Sequence, residues 1–144
     1  MEIIRNSDIS RAFEKEKRVY LVGNLKKPNG VKELTHDDYE IGMSEYKDFT
    51  FEKPHYHAKS REYNYLLEGS IKLVLLNEKK EYTFTKGDLF VIEVNEPYIC
   101  KAKAGTRTIF SKVPGGNDKT LVEHLIDQPL LDWGQSFDSP YNPK

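Results

Sequence analysis

Two histidines separated by one residue, His55 and His57, are followed at Glu62 by a carboxylate. On an extended backbone the side chains alternate across the strand, so the two imidazoles point the same way. Two imidazoles and one carboxylate converging on a point form the ligand set of open non-haem iron sites, and the set also suits zinc or manganese. Glu62 shares its parity with Asn64 and Leu66, which turns it inward. An unpaired carboxylate there is costly, and a nearby cation removes the cost. Asn64 is then placed to hydrogen-bond a ligand or a group behind the site. Without a metal, the same residues read as two hydrogen-bonded histidines in a partly polar pocket and an acid that partners Arg61.

Strands must carry these residues. Ile71, Leu73 and Leu75 alternate with Lys72, Val74 and Leu76, and Tyr82 and Phe84 alternate with Glu81, Thr83 and Thr85. Leu89 to Val94 reads as a buried strand, and Arg107 to Val113 as the last clear one. Tyr98, Cys100 and Ala102 fall on the inward face of another. Tyr39, Ile41 and Met43 alternate with Glu40, Gly42 and Ser44, and Phe49 and Phe51 share a face with His55 and His57 if Pro54 leaves the strand continuous. Short strands parted by turn signals such as Lys86-Gly87-Asp88 indicate a sandwich or small barrel. Tyr63, Tyr65 and Leu67 point to its outer side, where aromatics serve packing between sheets or subunits.

The ends differ. Ser7 to about Lys17 reads as a short amphipathic helix capped by Ser7, followed by a strand at Val19 to Val22. Near the C-terminus Thr120 and Glu123 form a capping box for a short helix that Pro129 ends. Leu130, Leu131, Trp133 and Phe137 are too apolar for a free tail and are expected to pack on the barrel or on a neighbouring subunit. His36 and His124 read as surface residues.

The spacing H-x-H-x4-E-x6-G, from His55 to Gly69, resembles the first signature motif of the cupin superfamily. The resemblance implies an all-β fold, a double-stranded β-helix or small jelly-roll barrel, here with short N- and C-terminal helices and a barrel core over about 36–113. It places His55, His57 and Glu62 on the metal-ligand positions and Gly69 on the closing glycine. The family's second motif, G-x5-P-x-G-x2-H-x3-N, begins well at Gly87. It then meets Glu93 for the proline, Asn95 for the glycine, Tyr98 for the metal-binding histidine and Ala102 for the asparagine. Tyr98 is therefore either a fourth ligand, as tyrosinate is to ferric iron, or a residue lining the pocket beside Asn64 and Cys100. Cys100 reads as a small core residue, with a thiolate ligand as the alternative.

With 144 residues the chain is expected to form one domain. A net charge of −1 with interspersed lysines and acids excludes a global field for nucleic acid or an anionic membrane. One cysteine allows no internal disulfide, no stretch is long enough to span a membrane, and the charged start lacks the apolar core of a signal peptide, so a cytoplasmic protein is expected. The apolar tail and tyrosine-rich outer face, together with the family's habit of pairing, predict a homodimer.

Three functions compete, the last a structural or accessory dimer in which the site is vestigial. In the first, a divalent iron, manganese, zinc or nickel ion held by His55, His57 and Glu62 serves an enzyme acting on a small polar molecule, of dioxygenase, isomerase or decarboxylase type. In the second, the barrel binds a sugar or organic acid without chemistry. No catalytic residue is assigned by sequence.

Overall fold

The computed structural model describes residues 1–144. Helix α1 (Asn6–Ala12) leads into strands β1 (Arg18–Gly23), β2 (Leu34–Thr35), β3 (Glu40–Tyr46), β4 (Thr50–Phe51), β5 (His55–His57) and β6 (Arg61–Glu68). There follow β7 (Ser70–Leu75), β8 (Lys80–Thr85), β9 (Leu89–Ile92), β10 (Tyr98–Ala102), β11 (Thr106–Val113), β12 (Lys119–Leu121) and helix α2 (Gln128–Trp133). The first sheet has the order β2-β1-β3-β11-β6-β9. The second runs β12-β5-β10-β7-β8, with β4 also on β10. Neighbours distant in sequence, such as β3 with β11 and β5 with β10, mean that the chain winds between two facing sheets. This is the all-β double-stranded β-helix, and the strands on both flanks, β1 and β12, belong to it.

Inward-facing residues of the two sheets form one apolar core that includes Leu66, Ile71, Leu73, Ile92, Tyr98, Cys100 and Ala102. Phe84 stacks on Phe90 with ring centroids 4.1 Å apart and joins the sheets at that end. The tight reversal between β6 and β7 is made by Gly69 at φ +82, where a Cβ would lie 2.6 Å from the Thr106 Cα. The motif's last position thus needs both a left-handed backbone and no side chain.

The apolar tail covers its own barrel. Trp133 and Leu130 bury against Val74 and Ile99 on the outer face of the second sheet, and the Trp133 indole donates to Glu81. Lys101, wholly buried, donates to the carbonyls of Trp133 (2.7 Å), Ser136 (2.8 Å) and Ser139 (3.0 Å). Three acceptors satisfy the three N–H bonds of its ammonium, which is what lets a charge sit there. Helix α1 closes the outer face of the first sheet with Ala12 and Phe13 on Val19.

Several local expectations are corrected. Helix α1 ends at Ala12, and its N-cap is Arg5, with no side-chain cap bond. Pro54 separates β4 from β5, so Phe51 turns outward to meet Trp133 (6.0 Å between centroids) while Phe49 is exposed. Neither phenylalanine shares the histidines' face. The strand beginning at Leu89 is a sheet edge, with Leu89 62% and Val94 37% exposed. Thr120 lies in β12 and caps nothing. The expected helix is only a 3₁₀ turn, Glu123–Leu125, with no side-chain cap. Helix α2 follows it, capped by Asp127, whose side chain accepts from the Leu130 N–H, and Pro129 sits in its first turn. Proline suits that turn because its missing N–H has no helical partner to lose.

Candidate functional site

Strands β5, β6 and β10 bring the sequence-predicted residues into the barrel. His55, His57, Glu62 and Tyr98 are all buried, with 4 to 5% of each exposed. Tyr98 is the Cα partner of His55, and their rings lie 4.5 Å apart. His55 and His57 meet edge to face at 5.2 Å.

The His55 Nδ1–H donates to the Lys53 carbonyl at 2.9 Å. Burial lowers its pKa to about 4, so the ring is neutral and Nε2 keeps its lone pair. His57 Nδ1 bonds Asp118 Oδ1 at 2.8 Å, and its Nε2 lies 3.3 Å from Glu62 Oε2. Burial opposes a charge on His57, but the two carboxylates outweigh it and raise its pKa. For Glu62, burial acts upward and is overcome by His57, Arg18 and Tyr98, which bring its pKa down to about 2. The Tyr98 hydroxyl donates to Glu62 Oε2 at 2.9 Å. Burial, then the Glu62 charge, push that phenol well above its ordinary range. Tyr98 is thus a neutral donor that holds Glu62.

The other predicted lining residues stand slightly apart. Asn64 is half-buried and inward on β6, in register with Phe110 and Phe90. The Cys100 Sγ donates to Glu52 Oε2 at 3.3 Å, and burial followed by the Glu52 charge pushes the thiol up, so no thiolate is on offer. His36 stacks on Tyr39 and His124 is exposed, both away from the site.

Sequence reasoning missed the residues that hold these in place. Asp118 accepts from His57, from the Lys59 N–H (3.0 Å) and from the Ser60 N–H (2.7 Å), and pairs with Lys112 at 3.3 Å. Burial acts to raise its pKa, but these donors overcome it and keep the carboxyl well below the usual carboxylate range. Strand β12 delivers it by pairing with β5, Lys119 opposite His57. Glu52 accepts from Tyr46 at 2.7 Å as well as from Cys100. The inward parity of Lys112 with Phe110 and Thr108 was a readable signal. For Asp118 and Glu52 there was none, since one follows a Gly-Gly turn and the other a strand break.

A divalent metal fits this set in its donor chemistry. Both histidines donate from Nδ1 to an oxygen, which fixes the tautomer that presents Nε2 to a metal. The 3.3 Å between His57 Nε2 and Glu62 Oε2 equals the edge between two donors each about 2.1 Å from one cation. As the side chains stand, however, no three His, Cys, Asp or Glu groups close into a metal-holding cluster. Glu62 meets His57 and Tyr98, whereas His55 packs on the rings of both. The structure therefore brings together His57, Glu62 and Tyr98 and sets His55 beside them.

Residues 45–109 match the cupin domain. The fold is shared with Pac13 of Streptomyces, a nucleoside dehydratase, at TM-score 0.53 and 13% identity over 60% of this chain and 70% of that one. KdgF from Halomonas sp. gives 0.52 and 19%, over 58% and 74%. Oxalate decarboxylase from Bacillus subtilis gives 0.51 and 17%, over 60% of this chain and 24% of that much longer one. No curated protein matches the sequence significantly. Likeness at such identities speaks for the fold alone. Residues 45–109 thus match a cupin domain, and the interleaved sheets around them give the chain the double-stranded β-helix fold of these structures.

Proposed function

We propose that this protein is an enzyme acting on a small polar molecule inside the barrel, with a divalent transition metal held by His55, His57 and Glu62. The observation that carries the reading is the anchoring of both Nδ1 atoms, on Lys53 and on Asp118. It leaves the Nε2 lone pair of His55 free and turns His57 Nε2 to the buried, ionised Glu62 carboxylate, where a cation would take the place of the proton. A bound cation would supply polarisation of a carbonyl or hydroxyl of the substrate. Tyr98 orients Glu62 and keeps a proton at its hydroxyl, Asp118 orients His57, and the apolar lining excludes water. Fold-sharing enzymes such as a nucleoside dehydratase and an oxalate decarboxylase support a small polar substrate without choosing the reaction.

Elemental analysis of the purified protein tests the metal. A stoichiometric transition metal is expected, with His57→Ala lowering occupancy at least tenfold while the melting curve stays cooperative. Unchanged metal content in a folded His57→Ala protein removes His57 from the ligand set. A second reading, a binder of a sugar or organic acid without turnover, draws support from the open cluster and from Tyr98 at the place of the family's histidine. A turnover screen separates it from the enzyme.

We also propose a cytoplasmic homodimer. The tail no longer needs a partner, but Tyr65, Leu89, Ile109 and Val113 remain exposed, 37 to 62%, on the outer side of the first sheet. Tyr65 is in register with both Ile109 and Leu89, which makes them neighbours on one face. Sedimentation should show a dimer at micromolar concentration, and Ile109→Lys should give a folded monomer. A monomeric wild type would count against this face.

A further inference from the structure

Arg18 enters the site so far only through its charge, which helps to keep Glu62 ionised, yet its side chain points into the barrel. On β1, Val19 is fully buried under α1, so the residues on either side of it turn to the barrel interior. The Arg18 guanidinium lies 4.9 Å over the Phe110 ring, which Tyr20 meets edge on at 5.3 Å. Gly42 makes room for that ring, since a Cβ there would come within 2.9 Å of Phe110 Cε1. The Arg18 Nε–H donates to Ser44 Oγ at 3.2 Å. That uses one of its five donors.

The other four are open. Arg18 takes part in none of the chain's ion pairs. Arg18 is only partly buried, and its terminal nitrogens donate to no group of the chain. The guanidinium is therefore stacked on a ring, oriented through Nε, and presents a free two-nitrogen fork. A cation placed only to neutralise Glu52 and Glu62, which act on it through space, would be expected to pair with one of them.

We propose that Arg18 is the anion-recognising residue of the barrel's ligand site, and that the molecule bound there carries a carboxylate. The planar fork matches the two oxygens of a carboxylate. A phosphate dianion fits less well, because the charges of Glu52 and Glu62 repel a second negative charge more strongly than the first. Asn64, in register with Phe110 on the neighbouring strand, offers an uncharged amide to the same ligand. This assignment rests on the barrel interior being the small-molecule site, but it does not require the metal.

Calorimetric and thermal-shift titrations with succinate, its diamide and inorganic phosphate test it, with metal content measured in every sample. Succinate should bind and raise the melting temperature of the wild type, the diamide should not, and phosphate should be weaker. Arg18→Lys keeps the charge and loses the fork, and should weaken succinate at least tenfold at unchanged metal content. If Arg18→Lys fails to fold, Asn64→Asp decides, since a carboxylate beside the ligand should weaken succinate by a similar factor. Equal succinate binding in the variant, no carboxylate-dependent response in the wild type, or a preference for phosphate would each overturn the assignment. A protein without metal that still binds succinate through Arg18 would refute the metal centre and leave this inference standing.

Discussion

Replacing Asp118 by alanine is expected to cost about 3–5 kcal/mol of stability, the range for breaking a buried ion pair by removing one partner. Its side chain is 9% exposed and lies against Lys112, 8% exposed, and His57, 7% exposed. Alanine leaves the Lys112 ammonium with Glu40 at 3.8 Å and the Gly116 carbonyl at 2.7 Å. It also strands the N–H of the buried Ser60, a donor that is expensive to leave unmade, whereas water can take up the exposed Lys59 N–H. Asp118→Asn keeps the shape and an acceptor oxygen but loses the charge, and about 2 kcal/mol is expected. Denaturant titration checks both values. Metal content should fall in both variants, because His57 loses the partner that fixes its tautomer. A loss below 1 kcal/mol in the alanine protein would show that Asp118 holds nothing together.

The second large effect is the acid limb of the stability profile of the metal-free protein. His55 has a folded pKa of about 4, against about 6.5 in an unfolded chain. Between those values the unfolded state binds more protons, so stability falls as the pH drops from about 6.5 to 4, by about 3 kcal/mol at 1.36 kcal/mol per pKa unit. Glu62 adds a second stage. Its folded value of about 2 lies below the unfolded value of about 4.3, so its contribution is present above that and is lost as the pH falls toward 2. His57 runs the other way. Its raised folded pKa gives stability below about 6.5 that is lost as the pH rises through the folded value. Urea midpoints at pH 6.5, 5.5 and 4.5, where the His57 contribution is already present, should show a steady acid loss, which His55→Asn flattens between pH 6.5 and 4. Glu62→Gln should reduce the further fall below pH 4.3 and leave the part that the Asp118 carboxylate contributes. A His55→Asn protein with the wild-type slope would place the titrating group elsewhere.

Much of the site was legible because strand parity is a local rule. Once residues 55–57, 61–68 and 98–102 are extended, alternation sends His55, His57, Glu62, Asn64, Tyr98 and Cys100 to one side, whatever surrounds them. The same rule read the apolar face of β7 and the outward Tyr65. The closing glycine was legible too, because a left-handed turn leaves few other residues possible.

Parity does not say which side of a sheet becomes the inside when both carry mixed residues. On β3 the buried set is Glu40, Gly42, Ser44 and Tyr46, while Ile41 and Met43 lie half-buried outside. That choice is made by Arg18, Glu52 and Lys112 arriving from other strands to satisfy the polar set. Glu52 came inward because Pro54 broke the strand, a three-dimensional bend that sequence marks only as a proline. Asp118 reaches His57 across 61 residues, and nothing local to either residue encodes the meeting. Where a side chain points follows from its own backbone. Which donor meets which acceptor depends on sheet closure, and for Asp118, Glu52 and Arg18 that was settled only when distant strands paired.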